Sequence, residues 1–328
     1  SRMPVGREGE YSNQMITNNK MMYHLDRLGT RLPITADVFL TNYCNNKCPY
    51  CTYFRWGHSK AHSMSYEDFV KYATRLRELG VRGIILSGGG EPTICEDFDL
   101  ITEWLEKEGI PYGINTNFNV PKYFKPVYLK VSLDAYDEDS HERNRGVRAY
   151  QKVRENIISY SRWKQQYSPS TTLGIQKVVQ DASELEPFYE ANKDLPVDYI
   201  SFAPVESTDG KYYTDKDITD IFRKITKLVW KDERVVRNFK WDLINTKFDR
   251  CIAHWAQIAM DERGNIIYCC HKPYQIIGHV MDEDILEKYQ TETDMKMCDV
   301  PCRLTAPNMF MKDIEDATKD IPLSYPFI

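Results

Sequence analysis

The chain lacks a long apolar stretch and an excess of positive charge. A membrane-spanning helix needs about 20 consecutive apolar residues, and no uninterrupted apolar run in the sequence approaches that length. The opening segment, SRMPVGREGEYSNQ, has no apolar region of the kind found in signal peptides. The formal net charge of -5 at pH 7 offers no basic field for a phosphate backbone. We therefore expect a cytoplasmic globular protein that binds neither membrane nor nucleic acid.

The sequence also lacks internal repeats and low-complexity segments, and its nine cysteines cannot all pair with one another. A length of 328 residues suggests about two domains. In a reducing compartment, a cysteine-rich chain of this size is more typical of metal ligation than of disulfides. The cysteines are therefore the first residues to consider as a functional site.

Three of the cysteines, Cys44, Cys48 and Cys51, lie within the eight-residue stretch CNNKCPYC. Four thiolates fill the coordination of a structural zinc or of a closed iron-sulfur cluster, whereas three leave one metal position open. An open position suits a substrate or a cofactor. A zinc knuckle is the alternative interpretation of this motif.

From Ile34 onward, apolar runs alternate with helical periodicity, a pattern typical of βαβ units and a parallel sheet. Strands are predicted at 34–42, 83–88, 111–116, 127–133, 171–179 and 198–203. Helices are predicted at 65–79, 97–108, 149–166, 183–193 and 215–231, with a short turn near 121–125. The fold class is therefore α/β, a partial (β/α)6 TIM-like barrel over residues 34–240, preceded by an extension at 1–33. In such barrels the chemistry lies at the carboxyl ends of the strands.

The residues that follow the predicted strands fit this expectation. The cysteine motif follows the first strand, and the second ends in SGGGEPT, where glycines allow a close approach of backbone to a ligand. A tight turn between strand and helix is the alternative for the glycines. The third strand ends in NTNF, and the fourth runs into VSLDAYDEDSHERNRG.

The cysteine spacing, with Tyr50 before the last cysteine, resembles the signature of the radical S-adenosylmethionine enzymes. In that family the three cysteines hold a [4Fe-4S] cluster whose fourth iron binds the amino and carboxylate groups of S-adenosylmethionine. An electron then cleaves the cofactor to methionine and a 5'-deoxyadenosyl radical, which abstracts hydrogen from the substrate. The resemblance implies an electron donor such as flavodoxin or ferredoxin.

The same resemblance assigns cofactor contacts at the strand ends. Gly89, Gly90 and Glu91 are similar to the family's GGE motif, whose backbone binds the ammonium group of the cofactor. Asn117 is similar to a family contact, although Phe118 stands where a glycine is usual.

Two further contacts come from the fourth strand end, which is similar to the family's SLDG stretch with Ala135 in place of the glycine. The resemblance directs Ser132 to the ribose or carboxylate of the cofactor and Arg145 to its carboxylate. The charged residues His141, Glu142 and Arg143 are expected to be solvated at the start of a helix and receive no role.

The last two strands add candidates that could touch cofactor or substrate, namely Gln176, Lys177 and Glu206. For Lys177 the alternative is a solvated or helix-facing position, and for Glu206 it is a surface loop.

Beyond residue 240 the alternation stops and cysteines return. Residues 256–270 are predicted to form a β-hairpin around Gly264. This resembles the twitch version of the SPASM extension, a small C-terminal β-hairpin/α domain holding an auxiliary [4Fe-4S] cluster, here at 241–305 with a tail at 306–328. The resemblance implies as its ligands Cys251, Cys269, Cys298 and Cys302, with a zinc ribbon as the alternative. Two cysteines, Cys95 and Cys270, are left over.

We therefore expect an oxidoreductase with two [4Fe-4S] clusters and S-adenosylmethionine. The first expectation is oxidation of an alcohol of a small molecule such as a sugar or aminocyclitol, with Glu206 as the base that takes the hydroxyl proton. Epimerisation with Cys270 as hydrogen donor is the second, and modification of a ribosomally synthesised peptide the third. A non-catalytic zinc-binding protein is the alternative from a different class.

Overall fold

The computed structural model describes residues 32–51, 53, 62–206, 212–241, 244, 246, 248–271, 275–291, 295–298, 302 and 304–318. The strands are β1 Thr35–Val38, β2 Gly83–Leu86, β3 Tyr112–Thr116, β4 Tyr128–Ser132, β5 Thr172–Val179, β6 Tyr199–Pro204, β7 Val235–Arg237, β8 Phe248–Cys251, β9 Gln257–Met260, β10 Asn265–Ile267, β11 Ile276–His279 and β12 Met295–Cys298. The helices are α1 Tyr66–Glu78, α2 Phe98–Lys107, α3 Glu138–Arg145, α4 Tyr150–Tyr167, α5 Leu185–Asn192, α6 Asp215–Lys231, α7 Ile285–Thr291 and α8 Thr305–Thr318.

One sheet of ten strands, in the order β11-β10-β9-β1-β2-β3-β4-β5-β6-β7, organises the described part of the chain. Neighbours from β1 to β7 pair in parallel, so their carboxyl ends meet at one edge. Helices follow most of these strands and bury an apolar face against the sheet. This confirms the predicted α/β partial barrel.

All six predicted strands and all five predicted helices are present, and their ends lie within two residues of the predicted ones, except that β1 ends at Val38 and not at residue 42. Helix α1 begins where expected, because the side chain of Ser65 accepts a hydrogen bond from the backbone N of Asp68 at 3.2 Å. The stretch near 121–125 forms no helix, so β3 connects to β4 without one. None of the helices in the described ranges has the length and apolar character of a membrane span.

Within residues 34–240, one strand and one α-helix of the structure were not predicted. Strand β7 has only three residues, and α3 consists entirely of polar residues, EDSHERNR, which carry no apolar periodicity. A capping box between Asp137 and Ser140 fixes the start of α3. The expectation that His141 is solvated is wrong: it is 1% exposed, and its Nδ1 lies 2.6 Å from the carbonyl oxygen of Val147.

The predicted hairpin is confirmed as β9 and β10, which pair antiparallel around Gly264 at φ +83°. Strand β9 also pairs in parallel with β1, with Thr35 opposite Gln257. The hairpin therefore extends the barrel sheet across the predicted domain boundary at residues 240 and 241. Strands β8 and β12 form a separate antiparallel pair.

Two tyrosines fill the amino-terminal end of the sheet's inner face. Tyr128 lies opposite Gly113, and Tyr199 opposite Gly174. A Cβ atom placed on Gly113 would lie 2.0 Å from the Tyr128 ring, and one on Gly174 would lie 2.1 Å from the Tyr199 ring. The rings occupy the space that side chains at the two glycines would need.

We expect Gly113→Ala to lower the free energy of unfolding by about 1–3 kcal/mol, because the added methyl group overpacks this contact. Gly83→Ala is the matched control, since its Cβ would meet only Pro111 O, at 3.5 Å, an ordinary contact. Denaturant unfolding of the two variants measures the difference. Equal stability of both would show that the Tyr128 ring can move away freely.

Candidate active site

The cysteine loop, residues 44–51, lies over the carboxyl ends of β1 and β2. Cys48 is buried, and Cys44 and Cys51 are half-buried. The backbone leading into the loop is bound to the residues after β2, because the N of Gly90 donates to Thr41 O at 2.7 Å and the N of Glu91 donates to Tyr43 O at 2.8 Å. The cysteine motif and the glycine segment therefore meet as predicted.

The glycines at this junction approach the protein's own backbone. A Cβ on Gly90 would lie 1.8 Å from Tyr43 O, and a Cβ on Gly89, which has φ +62°, would lie 2.8 Å from Thr41 O. Backbone packs on backbone at this distance only where the side chain is absent. The absence of a side chain at both glycines thus allows the base of the cysteine loop to pack directly on the backbone that follows β2.

The Glu91 carboxylate is turned inward. It accepts hydrogen bonds from Thr93 N at 3.1 Å, Thr93 Oγ1 at 2.7 Å and Asn117 N at 2.7 Å, and also from Thr116 Oγ1. Burial raises the pKa of Glu91, and these donors oppose that rise. The side chain ties the end of β2 to the end of β3.

Asn117 lies beside the first cysteine. Its Nδ2 is 3.9 Å from Cys44 Sγ and 2.6 Å from Asn45 Oδ1. Phe118, the departure from the family pattern, has φ +56°, the left-handed conformation that a glycine would adopt. Its ring is buried against Tyr160 with 5.8 Å between ring centroids. Phe118 therefore adopts the backbone conformation of the turn that a glycine would adopt, and its ring adds a contact in the core.

Arg145 lies next to the cysteine loop, as predicted, but part of its guanidinium group is already bound. Its Nη1 is 2.8 Å from Asp134 Oδ2 and 3.4 Å from Tyr50 Oη. Tyr50 also donates to Asp134 Oδ2 at 2.5 Å. Burial, together with the Asp134 carboxylate, raises the pKa of Tyr50 well above its usual value. Asp134 is a site residue that sequence reasoning missed.

A cavity of about 290 Å³ opens beneath the cysteine loop on the inner face of the sheet. Five predicted site residues line it: Tyr50, Ser132, Gln176, Glu206 and Cys270. Lining residues that were not predicted include Asp37, Asn115, Lys130, Lys240 and His271. Side chains alternate between the two faces of a strand, so Asp37 on β1, Asn115 on β3 and Lys130 on β4 point inward. This alternation could have been read from the predicted strands.

Lys177 does not face this cavity. Its ammonium group is fully buried and lies 2.7 Å from Glu184 Oε2 and 3.2 Å from Asp134 O. The helix-facing alternative is thus confirmed. Leaving a buried charge such as the Lys177 ammonium without its partner would destabilise the fold by on the order of several kcal/mol. The contact with Glu184 is therefore needed for Lys177 to remain charged at this position.

The mouth of the cavity brings together charged groups from distant parts of the chain. Glu206 Oε2 is 3.0 Å from His271 Nε2, and Glu206 Oε1 contacts Lys240 Nζ. Cys270 lies between the cavity and an apolar cluster that includes Phe39, and its carbonyl oxygen accepts a hydrogen bond from Tyr53 Oη at 2.7 Å.

The thiols of the C-terminal part are partly assembled. Cys251 and Cys269 pack in one cluster with Tyr268, and Cys269 interacts electrostatically with Cys302. Burial alone would raise the pKa of Cys302. The hydrogen bond and the charge of His271 outweigh burial and lower this pKa to about 7. Cys298 belongs to β12, which pairs with β8, but its side chain lies outside the described residues.

Cys95, which had no assigned partner, is buried away from both groups of thiols. It is 2% exposed, and its Sγ donates to Met64 O at 3.6 Å.

The donor chemistry of the cysteine loop fits a metal cluster. Burial raises the pKa of Cys44 to about 12 and that of Cys48 to about 11, and a metal that bound these thiols would displace their protons. Within the described ranges, no three His, Cys, Asp or Glu side chains converge as metal ligands would.

Residues 38–164 match the family model of the Radical SAM superfamily. The GTP 3',8-cyclase of Staphylococcus haemolyticus is 26% identical over 207 residues, covering 56% of this chain and 59% of that protein. A candidate glycyl-radical enzyme activating enzyme of Methanocaldococcus jannaschii is 32% identical over 111 residues, 32% of this chain and 41% of that protein. The chain therefore spans less than two thirds of these relatives.

Solved structures share the fold. SuiB of Streptococcus suis bound to S-adenosylmethionine superposes with a TM-score of 0.58 at 17% identity, covering 88% of this chain and 72% of that one. The structure of anSMEcpe with bound AdoMet gives a TM-score of 0.60 at 18% identity, covering 80% and 83%. At these identities the similarity establishes the architecture.

We expect Glu91→Ala to lower the free energy of unfolding of the metal-free protein by about 2–4 kcal/mol, because two buried backbone N–H groups lose their acceptor. Glu96→Ala is the control, since Glu96 lies exposed on the same turn. Denaturant unfolding without cofactor measures the effect. An unchanged stability for Glu91→Ala would show that this carboxylate serves a ligand instead of the fold.

Proposed function

We propose that this chain is a radical SAM enzyme that abstracts hydrogen from a substrate carbon. The observation that carries the proposal is that a loop with three thiols lies at the carboxyl ends of parallel strands and contributes Tyr50 to the wall of a polar cavity there. When bound, the first cluster with S-adenosylmethionine supplies a 5'-deoxyadenosyl radical, and a second cluster supplies an electron acceptor. Flavodoxin or ferredoxin is the proposed electron donor.

The residues have the following proposed roles. Cys44, Cys48 and Cys51 hold the first cluster. Residues at the neighbouring strand ends contact the cofactor: Tyr50, Gly89, Gly90, Glu91, Asn117, Ser132, Arg145 and Gln176. The second cluster is held by Cys251, Cys269, Cys298 and Cys302. For Glu91 the contact is through backbone, since its carboxylate is bound within the protein.

The reaction that we favour is oxidation of an alcohol on a small molecule such as a sugar or aminocyclitol. The cavity supports this choice because its walls combine amide, hydroxyl and charged groups, which suit a substrate with several hydroxyl or amino groups. Glu206 lies at the mouth, where its carboxylate can take the hydroxyl proton. His271 and Lys240 hold that carboxylate from two sides.

Epimerisation is the second candidate, because Cys270 lines the same cavity and could return a hydrogen atom to the substrate. Peptide modification is the third. Structures with the same fold have been solved with peptides, SuiB with the precursor peptide SuiA and anSMEcpe with the Cp18Cys peptide.

Replacing Cys44, Cys48 and Cys51 together by Ala should remove about half of the iron, by the ligand count of two clusters. It should also abolish formation of 5'-deoxyadenosine from S-adenosylmethionine under reducing conditions. Iron analysis, visible absorbance and chromatography of anaerobically purified protein measure both effects. Cys95→Ala is the control and should retain iron and cleavage. Continued cleavage by the triple variant would overturn the proposal, and a colourless protein that contains zinc would support the non-catalytic alternative.

The variant Cys270→Ala separates oxidation from epimerisation. If Cys270 donates hydrogen, the variant should still form deoxyadenosine but fail to invert the substrate, and the unsubstituted enzyme in deuterated water should place deuterium at the inverted carbon. If the enzyme oxidises an alcohol, mass spectrometry should find a product lighter by two hydrogens, unchanged by the substitution. A solvent-labelled product from the Ala variant would remove Cys270 from the mechanism.

A further inference from the structure

Asp134, at the end of β4, combines a left-handed backbone conformation with a buried side chain. Its φ is +55°, a region that L residues other than Asn and Asp rarely adopt, and its exposure is 0%. Strained conformations of this kind persist only where the surroundings impose them, and they concentrate at functional sites.

The residues that bind Asp134 come from three separate segments: β5, α3 and the cysteine loop. Its Oδ1 accepts from the N of Val178 on β5 at 2.5 Å, and its carbonyl oxygen accepts from Asn144 Nδ2 on α3 at 2.8 Å. Its Oδ2 accepts from Tyr50 Oη at 2.5 Å and from Arg145 Nη1 at 2.8 Å. One side chain therefore links the sheet, α3 and the cysteine loop.

Both residues on Oδ2 connect directly to the cysteine loop. Tyr50 belongs to the loop and immediately precedes Cys51. The carbonyl oxygen of Arg145 accepts hydrogen bonds from Lys47 N at 3.0 Å and from Cys48 Sγ at 3.8 Å. The loop is thus held at two points, one through the Tyr50 side chain and one through the Arg145 backbone, and both lead to the same carboxylate oxygen.

We propose that Asp134 is a positioning residue that holds the cysteine loop in place over the strand ends before any cluster is inserted, by binding Tyr50 and Arg145 together. The proposal rests on the proposed function only in that the loop is taken to receive a cluster. The carboxylate keeps Tyr50 and the backbone around Cys48 at a fixed separation, so the loop need not become ordered when the cluster arrives.

A general role in stability is the competing explanation, since a buried ion pair that loses one partner destabilises a fold wherever it lies. The two roles differ in where the effect is felt. A stabilising pair changes the opening of the whole barrel, whereas a positioning residue changes the local opening of residues 44–51 while the barrel stays closed.

The test is amide hydrogen exchange of the full, metal-free chain, followed by mass spectrometry of peptides that cover residues 44–51. The variant Tyr50→Phe removes the hydroxyl group that Asp134 binds and leaves the ion pair with Arg145 intact. We expect amide exchange in the loop to become about tenfold faster, because the loop loses one hydrogen bond to a charged group. Exchange rates in peptides from β5 and α4 should stay unchanged. The matched control is Tyr160→Phe, which removes a buried hydroxyl whose acceptor, Phe124 O at 2.8 Å, lies outside the loop.

Asp134→Asn is the stronger variant, because Asn tolerates the same backbone conformation but leaves Arg145 without its counterion. It should quicken exchange in the loop more than Tyr50→Phe does, and it should take up iron more slowly on reconstitution. If it does not fold, Tyr50→Phe alone decides. Unchanged loop exchange in Tyr50→Phe, or exchange that quickens equally across the barrel, would overturn the proposal. Failure of the unsubstituted protein to bind iron would instead reject the proposed function and leave the exchange result interpretable.

Discussion

Parallel pairing from β1 to β6 is the constraint on which the site depends. Because the strands run in one direction, the segments that follow them all emerge at one edge, and residues far apart in sequence become neighbours there. The cysteine loop, the glycine segment and the turns after β3 and β4 meet for this reason. Their side chains bind one another within the protein: Glu91 joins two strand ends, and Asp134 binds residues of β5, α3 and the cysteine loop.

The features carried by local patterns could be predicted from the sequence. Strands covered by helices appear as short apolar runs bounded by glycine and polar residues, and the positions of β1 to β6 followed from that alternation. The cysteine spacing and the triple glycine are also local. Ser65 and Gly264 gave correct ends for α1 and for the hairpin because a cap or a turn needs only a few consecutive residues.

Features that depend on distant partners could not be predicted in the same way. Helix α3 buries polar residues, and only the tertiary structure shows which groups satisfy them. Asp134 binds Tyr50 at a separation of 84 residues and Val178 at a separation of 44, so its role is invisible in its own motif. The lining of the cavity is an intermediate case. Alternation along the strands predicts that Asp37 and Lys130 face the same side of the sheet, but only the curvature of the folded sheet brings them into one cavity.

The pairing of β1 with β9 has a consequence for the order of folding. Strand β1 lies between β2, its neighbour on one side, and β9, which joins it from the far end of the chain with Thr35 opposite Gln257. During synthesis one edge of β1 can pair early, but the other waits until the hairpin has left the ribosome, and such long-range contacts form slowly. The strand that leads into the cysteine loop is therefore completed late. Until the hairpin pairs with β1, the segment that leads into the cysteine loop lacks one of its two neighbouring strands, and this topology favours cluster insertion after that pairing has formed.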